Sequence, residues 1–388
     1  MRGGYEGLAK HRAGISLKPM KKYLVLLALA ASFAQGKTML YLGTWPNQIL
    51  VIDESDYKIV KHIEMKTDVP RTLVLTTDRS KLIVGTIKDT GIETIDLAKG
   101  EVIDSFLLGS NTKRVALAGI AVDPTGNFLY SNITTSNKLI DRWEIGEPKL
   151  SVIDLKQHKI VREVETPANE REQAQGGYRG GNYRVSPDGK FLYQFGNAIN
   201  IYDTSTLKKV QTIDLTKPSF PGMENITFAP EVDPNDDANT LTGIFNTEDP
   251  VVHRQVFGMA TFHLNERKFE FTPIGPAVQG VSNIRYTPDH KKAYAVAITG
   301  THGDRHCEFW GIDVPNVKLT QRQEFACRPR FSFATSSTGN DLFIYSAGFE
   351  LEVYDSVSMK LQKTLSMDAD ITTPMVTVIA APENRAAR

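Results

Sequence analysis

A unit of strand, tight turn and strand recurs along the whole chain, and it constrains the fold more than any other feature. Its clearest copy is Ser186-Pro187-Asp188-Gly189-Lys190-Phe191-Leu192-Tyr193, followed by Ile201-Tyr202-Asp203-Thr204-Ser205-Thr206-Leu207-Lys208-Lys209-Val210. Proline presets φ at the second turn position and glycine accepts φ > 0 later in it, so Pro-Asp-Gly leads straight into an apolar strand. The next strand ends in aspartate, a short polar turn follows, and a Lys-Val strand returns.

Strands ending in aspartate recur at Asp53, Asp96, Asp154, Asp203, Asp313 and Asp355, and Phe262-His263-Leu264 is a degenerate copy in the one long gap. Successive copies lie 42 to 60 residues apart, the period of four-stranded propeller blades. The opening turn recurs at 77–80, 123–126, 186–189, 287–290 and 336–339, with a longer, acidic form over 229–239. The expected class is therefore all-β, a seven-bladed β-propeller of four-stranded antiparallel blades. The apolar strand over 374–380 has no apolar strand after it, and Met39-Leu40-Tyr41-Leu42 supplies one. The N- and C-terminal strands are thus expected to share one blade and close the ring, which removes open sheet edges. No helical period marks a second domain, so residues 35–388 read as a single propeller.

With 388 residues, 41% hydrophobic, the chain can bury a large core. Its 45 basic and 45 acidic residues cancel, which argues against a nucleic-acid partner, since that would require a basic footprint. At the N-terminus, Lys21-Lys22 precedes an apolar run over 23–31, and Ser32-Phe33-Ala34 offers small residues before a cleavage point. This is the pattern of a secretory signal. Residues 1–34 read as signal peptide with an upstream extension, Met20 being a candidate true start. The apolar run is about half of the ~20 residues that span a bilayer. Periplasmic or secreted localisation is expected, without membrane attachment after cleavage; an uncleaved N-terminal anchor is the alternative.

Export bears on Cys307 and Cys327. Each stands ten residues from Val317, within the expected hairpin turn, so the two should face each other across antiparallel strands within bonding reach. In an oxidising compartment they are expected to form a disulfide; otherwise they are buried thiols.

No nucleophile elbow, zinc-protease helix, dinucleotide fingerprint or EF-hand spacing is present. The glycine run Gln175-Gly176-Gly177-Tyr178-Arg179-Gly180-Gly181 has no helix after it and no Lys-Ser/Thr, so it reads as a connector. Aligning the innermost strands on their turns puts Asn182, Asn225 and Asn283 five residues before the turn proline, with Thr72, Gly119, Ser332 and Thr377 at the matching places. Two residues later come Arg184 and Arg285, on the same strand face by period-two alternation. Arginine and asparagine in one funnel could hold an anion or a partner's carboxylate; a solvated lining is the alternative. His302, Asp304 and His306 would share a face if extended, but Gly300 and Gly303 favour a turn, and Asp233, Asp236 and Asp237 read as a solvated loop, so no metal site is expected. Inserts over 134–149, 166–181 and 231–254 are where binding loops would sit.

The repeated Ile-Asp-x4-Lys-Val and Ser-Pro-Asp-Gly-Lys-x-Leu-Tyr units resemble the YVTN-type propellers over residues 38–384. Within that group the layout is similar to the β subunit of quinohemoprotein amine dehydrogenase. The matching stretches are Ile49-Leu50-Val51-Ile52-Asp53, then Ile95-Asp96-Leu97 through Gly100-Glu101, the insert over 139–147 before Leu150-Ser151-Val152-Ile153-Asp154, and Leu351-Glu352-Val353-Tyr354-Asp355. The resemblance implies a non-catalytic periplasmic subunit with no cofactor of its own. Quinone and haem would sit on partner chains, and the propeller would scaffold them and wall the substrate pocket. A stand-alone binding propeller and a propeller lactonase are the alternatives.

Overall fold

The computed structural model describes residues 37–379 apart from 88–89, 168–181, 197, 218–223, 232–237, 250, 252–253, 279, 282–283, 329 and 347. Seven antiparallel sheets follow one another along the chain. From the axis outward, blade 1 is built of Val376–Val378, Met39–Thr44, Gln48–Asp53 and Lys58–Glu64. Blades 2 to 7 open with the innermost strands Pro70–Leu75, Lys113–Val122, Asn182–Val185, Glu224–Glu231, the broken pair Gly280–Val281 and Arg285–Tyr286, and Ser332–Thr335. Met39 pairs with Val378 and Tyr41 with Val376, so the two chain ends share blade 1 as expected. Among the described residues helical structure is confined to short 3-10 turns, such as His302–Asp304.

Both faces of each blade are covered by a neighbour, and one hydrophobic cluster fills each of the seven seams. Tyr193, Phe195 and Ile201 of blade 4 pack on Phe228, Leu241 and Phe262 of blade 5. The ring closes where Leu40, Leu42 and Ile52 meet Phe343, Tyr345 and Val353 of blade 7. This two-sided burial explains unbroken apolar runs such as Leu82-Ile83-Val84, all fully buried. Each such side chain contributes roughly 1.5–3 kcal/mol. The outermost strands cover only one side, and they carry charge: Lys58–Glu64 and Lys318–Phe325 are largely exposed or half-buried along their length.

In six of the seven blades an aspartate ends the third strand and holds the turn after it, His263 taking that place in blade 5. The Asp203 carboxylate accepts from the Thr206 amide at 2.8 Å and from the Ser205 and Thr206 hydroxyls at 2.6 and 2.9 Å. Each of these seven turns contains one residue in the left-handed region: Tyr57, Gly100, His158, Leu207, Arg267, Val317 and Met359. In six blades the register then slips by one within two residues of the turn, the bulge that accompanies a turn closed by such a residue.

That geometry corrects the expected cysteine register. The turn of blade 6 occupies 314–317 rather than centring on Val317, and the register slips between Gly311 and Ile312, so Cys307 lies opposite Phe325. Cys327 stands two residues further on. The disulfide forms nonetheless, as a diagonal link with Cα atoms 5.2 Å apart. The 231–254 stretch is also not an insert throughout, because Thr240–Asp249 is the second strand of blade 5. Within 134–149, Phe128–Lys138 runs on as a strand and pairs with Trp143–Ile145, making a hairpin over which Arg114 stacks on Trp143 at 4.4 Å.

Candidate binding site

Two places could recognise a ligand or partner: the wall of the central channel and the face carrying the loops between second and third strands. On the channel wall, Arg184 sits opposite Tyr193 in blade 4, and Arg285 opposite Tyr294 in blade 6. Tyr193 packs into the blade 4–5 seam and Tyr294 into the blade 6–7 seam. The two arginines therefore occupy equivalent strand faces, as the alternation predicts, but they belong to different seams.

Both side chains are half-buried. Arg184 donates from Nη1 to the Tyr183 carbonyl at 2.7 Å, while its Nε is enclosed without an acceptor. Burial pulls its guanidinium down to about 10. Burial likewise lowers Arg285, whose charge interacts with the Tyr345 phenol. Burial in turn pushes the Tyr345 phenol up, and its oxygen accepts the Met375 amide at 2.8 Å.

The asparagine ring is less regular than the sequence suggests. Asn182 opens the innermost strand of blade 4, opposite Phe195. Asn225 is exposed, with φ of 50°, inside a register shift between Glu224 and Thr227. Similar shifts fall at Thr72 and around Gly119, whose φ is 71°. Strict alternation thus breaks at this level of the wall in three blades, because bulges re-aim the residues there. Asn283, the glycine run over 175–181, Asp233, Asp236 and Asp237 lie outside the described residues. Ser332 and Thr377 are half-buried on the innermost strands of blades 7 and 1.

His302–Asp304 forms a turn, as Gly300 and Gly303 suggest. His306 follows it and contacts Glu324 at 2.8 Å, which raises the imidazole above its usual range. Among the described residues, no three of His, Cys, Asp and Glu stand close enough to hold a metal ion.

The loop face was not legible as a site in the sequence. In an antiparallel four-stranded blade the first and third turns lie at one end, and the second turn and the exit to the next blade lie at the other. The aspartate-held turns share the first end. There Val357 is the one large apolar side chain exposed in a turn among the described residues. The second turns present Trp45 (59% exposed), Ile87 (56%), Ile140 (107%), Val251 (82%) and Phe349 (59%), with Ile145 on the blade 3 hairpin. Four of these loops belong to the consecutive blades 7, 1, 2 and 3. Trp45 and Phe349 are held by one strap, residues 367–371: the Trp45 amide donates to the Asp370 carbonyl and the Met367 amide to the Phe349 carbonyl, both at 2.7 Å. Scattered exposed apolar residues are ordinary, but a row confined to one face is characteristic of an interaction surface.

Neither a protein-family model nor a curated protein sequence matches the chain. Among solved structures, a functionally unknown protein from Desulfotomaculum acetoxidans DSM 771 superposes with a TM-score of 0.53 at 13% identity, over 88% of this chain and 99% of that one. A putative 6-phosphogluconolactonase from Bacteroides fragilis NCTC 9343 gives 0.49 at 13% identity, covering 89% and 99%. Hydrazine synthase from Kuenenia stuttgartiensis gives 0.47 at 16% identity, covering 81% and 96%. Likeness at such identities speaks to fold and not to activity. By its fold, this chain is a seven-bladed β-propeller.

Proposed function

We propose that the protein is an exported, non-catalytic propeller that docks a protein partner on its loop face. In the narrower form of this reading it is the scaffolding subunit of an assembly like quinohemoprotein amine dehydrogenase, with quinone and haem carried by partner chains. The observation that carries the docking role is the apolar row Phe349, Trp45, Ile87 and Ile140 on four consecutive blades. Tryptophan and phenylalanine on rigid loops are frequent anchors of protein interfaces. The repeat motifs shared with the YVTN-type propellers support the narrower form, and the Cys307–Cys327 disulfide supports an oxidising compartment.

A lactonase is the second reading, and the channel arginines favour it. However, Arg184 and Arg285 occupy separate seams, whereas hydrolysis requires groups that converge on one carbonyl.

The test is affinity purification of the tagged mature protein from its native host, with an absorbance spectrum and the masses of what accompanies it. Co-purifying haem-bearing and quinone-bearing chains, lost in a Trp45→Ser/Phe349→Ser variant of unchanged thermal stability, are the expected result. A lone, colourless propeller would defeat the subunit reading. Turnover of a lactone panel that disappears in Arg184→Ala would move the assignment to the hydrolase.

A further inference from the structure

A pocket of about 430 Å³ opens between blades 5 and 6, and their outermost strands, Lys268–Pro276 and Lys318–Phe325, supply most of its wall. Phe257, Ile274, Gly275, Pro276 and Leu319 form the apolar part of that wall, and Arg322 is its charged group. The volume falls within the roughly 300–1,000 Å³ of small-molecule sites, which join an apolar lining to a few polar groups.

A bulge shapes the pocket. Phe257 lies opposite Gly275 and Gly258 opposite Pro273, so Ile274 is the extra residue on the outer strand. A Cβ built at Gly275 would meet no atom within 4 Å. The Gly275 backbone lies outside the left-handed region, so conformation does not call for glycine there. A glycine inside a strand often marks the close approach of a ligand or of another backbone.

Arg322 stands opposite Trp310, its guanidinium carbon 4.8 Å from the ring centroid. The ring is buried and fixed: it packs against Phe257 at 5.2 Å, and its Nε1 donates to Glu308 at 2.8 Å. A guanidinium held over a fixed ring keeps its N–H edges open to an anion. The carboxylates beside it on the two strands are engaged elsewhere, Glu308 by the indole and Glu324 by His306 at 2.8 Å. Among the described residues Arg322, which is exposed, enters no salt bridge.

We propose that this pocket binds a small amphiphilic monocarboxylate, its apolar body against Phe257, Ile274 and Leu319 and its carboxylate on the Arg322 guanidinium. One cation in the lining matches one negative charge. The site is separate from the apolar row of blades 7, 1, 2 and 3 and does not rest on the docking reading.

Isothermal titration of the full chain at neutral pH with 4-phenylbutyrate and with decanoate tests it, 4-phenyl-1-butanol serving as the uncharged control. At least one acid is expected to bind saturably with Kd of about 1 mM or below, about tenfold tighter than the alcohol. Arg322→Gln, a change at an exposed side chain, should weaken the acid about tenfold and leave the alcohol unaffected. Gly275→Leu fills the pocket and should abolish binding of both. Should Gly275→Leu fail to fold, Arg322→Gln decides. No saturable binding of either acid up to about 10 mM, or acid binding undiminished in Arg322→Gln or in folded Gly275→Leu, would overturn the proposal.

Discussion

Glu54 in the first blade accepts hydrogen bonds from both the amide and the hydroxyl of Ser337 in the last, the amide at 2.6 Å. Beside it Tyr57 donates to Asp341 at 2.5 Å. The innermost strands zip the chain ends together near the axis, and these contacts fasten the same seam at the face opposite the apolar loops.

Replacing Glu54 with alanine strips two donors of their acceptor and is expected to lower stability by about 1–3 kcal/mol, read as a lower denaturant midpoint at unchanged slope. Burial pushes this carboxyl above its ordinary 4.5. The folded chain therefore holds the proton more tightly than the unfolded one, and the contribution falls as pH rises through and beyond 4.5. Glu54→Gln removes that dependence, so wild type minus Glu54→Gln stability should decline with rising pH. A flat difference would mean that Glu54 titrates alike in both states.

The turn aspartates have the opposite sign. Hydroxyl and amide donors hold Asp203, Asp214, Asp313 and Asp355 below the ordinary 3.8. Their contribution is present above that value and is lost as pH falls through the depressed folded values. Acid titration followed by circular dichroism should show Asp203→Asn unfolding less steeply with falling pH than the wild type.

The disulfide joins residues 20 apart in sequence. Loop-closure entropy for such a link is about 3 kcal/mol. A Cys307→Ala/Cys327→Ala variant should unfold at correspondingly lower denaturant, and reductant should shift the wild type but not the variant. Equal midpoints with and without reductant would contradict this.

Phe309 is fully buried between blades 6 and 7, stacked on Phe325 at 4.3 Å and edge-on to Tyr354 at 4.8 Å. Truncation to alanine leaves a cavity at a seam that supports two blades at once, and is expected to cost about 3–5 kcal/mol. A loss below about 1 kcal/mol would show that the seam collapses to fill the space.

The repeat was legible because its chemistry is local. Asp203 and its counterparts bond to amides two or three residues away, so turn, strand end and blade count could all be read along the chain. The shared terminal blade was legible too, since Met39–Thr44 completes the strand set that Val376–Val378 leaves open. The pairing of Cys307 with Cys327 was recovered, but its register was not, because the slip at Gly311 and Ile312 has no distinct residue signal.

The candidate sites divide in the same way. Arg184 and Arg285 were placed on the innermost strands by counting back from a proline. Tertiary structure decided that they occupy different seams, that Asn225 lies in a bulge, and that the Arg184 Nε is enclosed without an acceptor. Trp45 and Phe349 stand more than three hundred residues apart and look like isolated apolar residues in turns. One face gathers them because antiparallel blades send every second turn to the same end and the ring makes the last blade a neighbour of the first. Hydrogen bonds within a turn are set by adjacent residues, whereas seams and faces exist only once separate blades have packed.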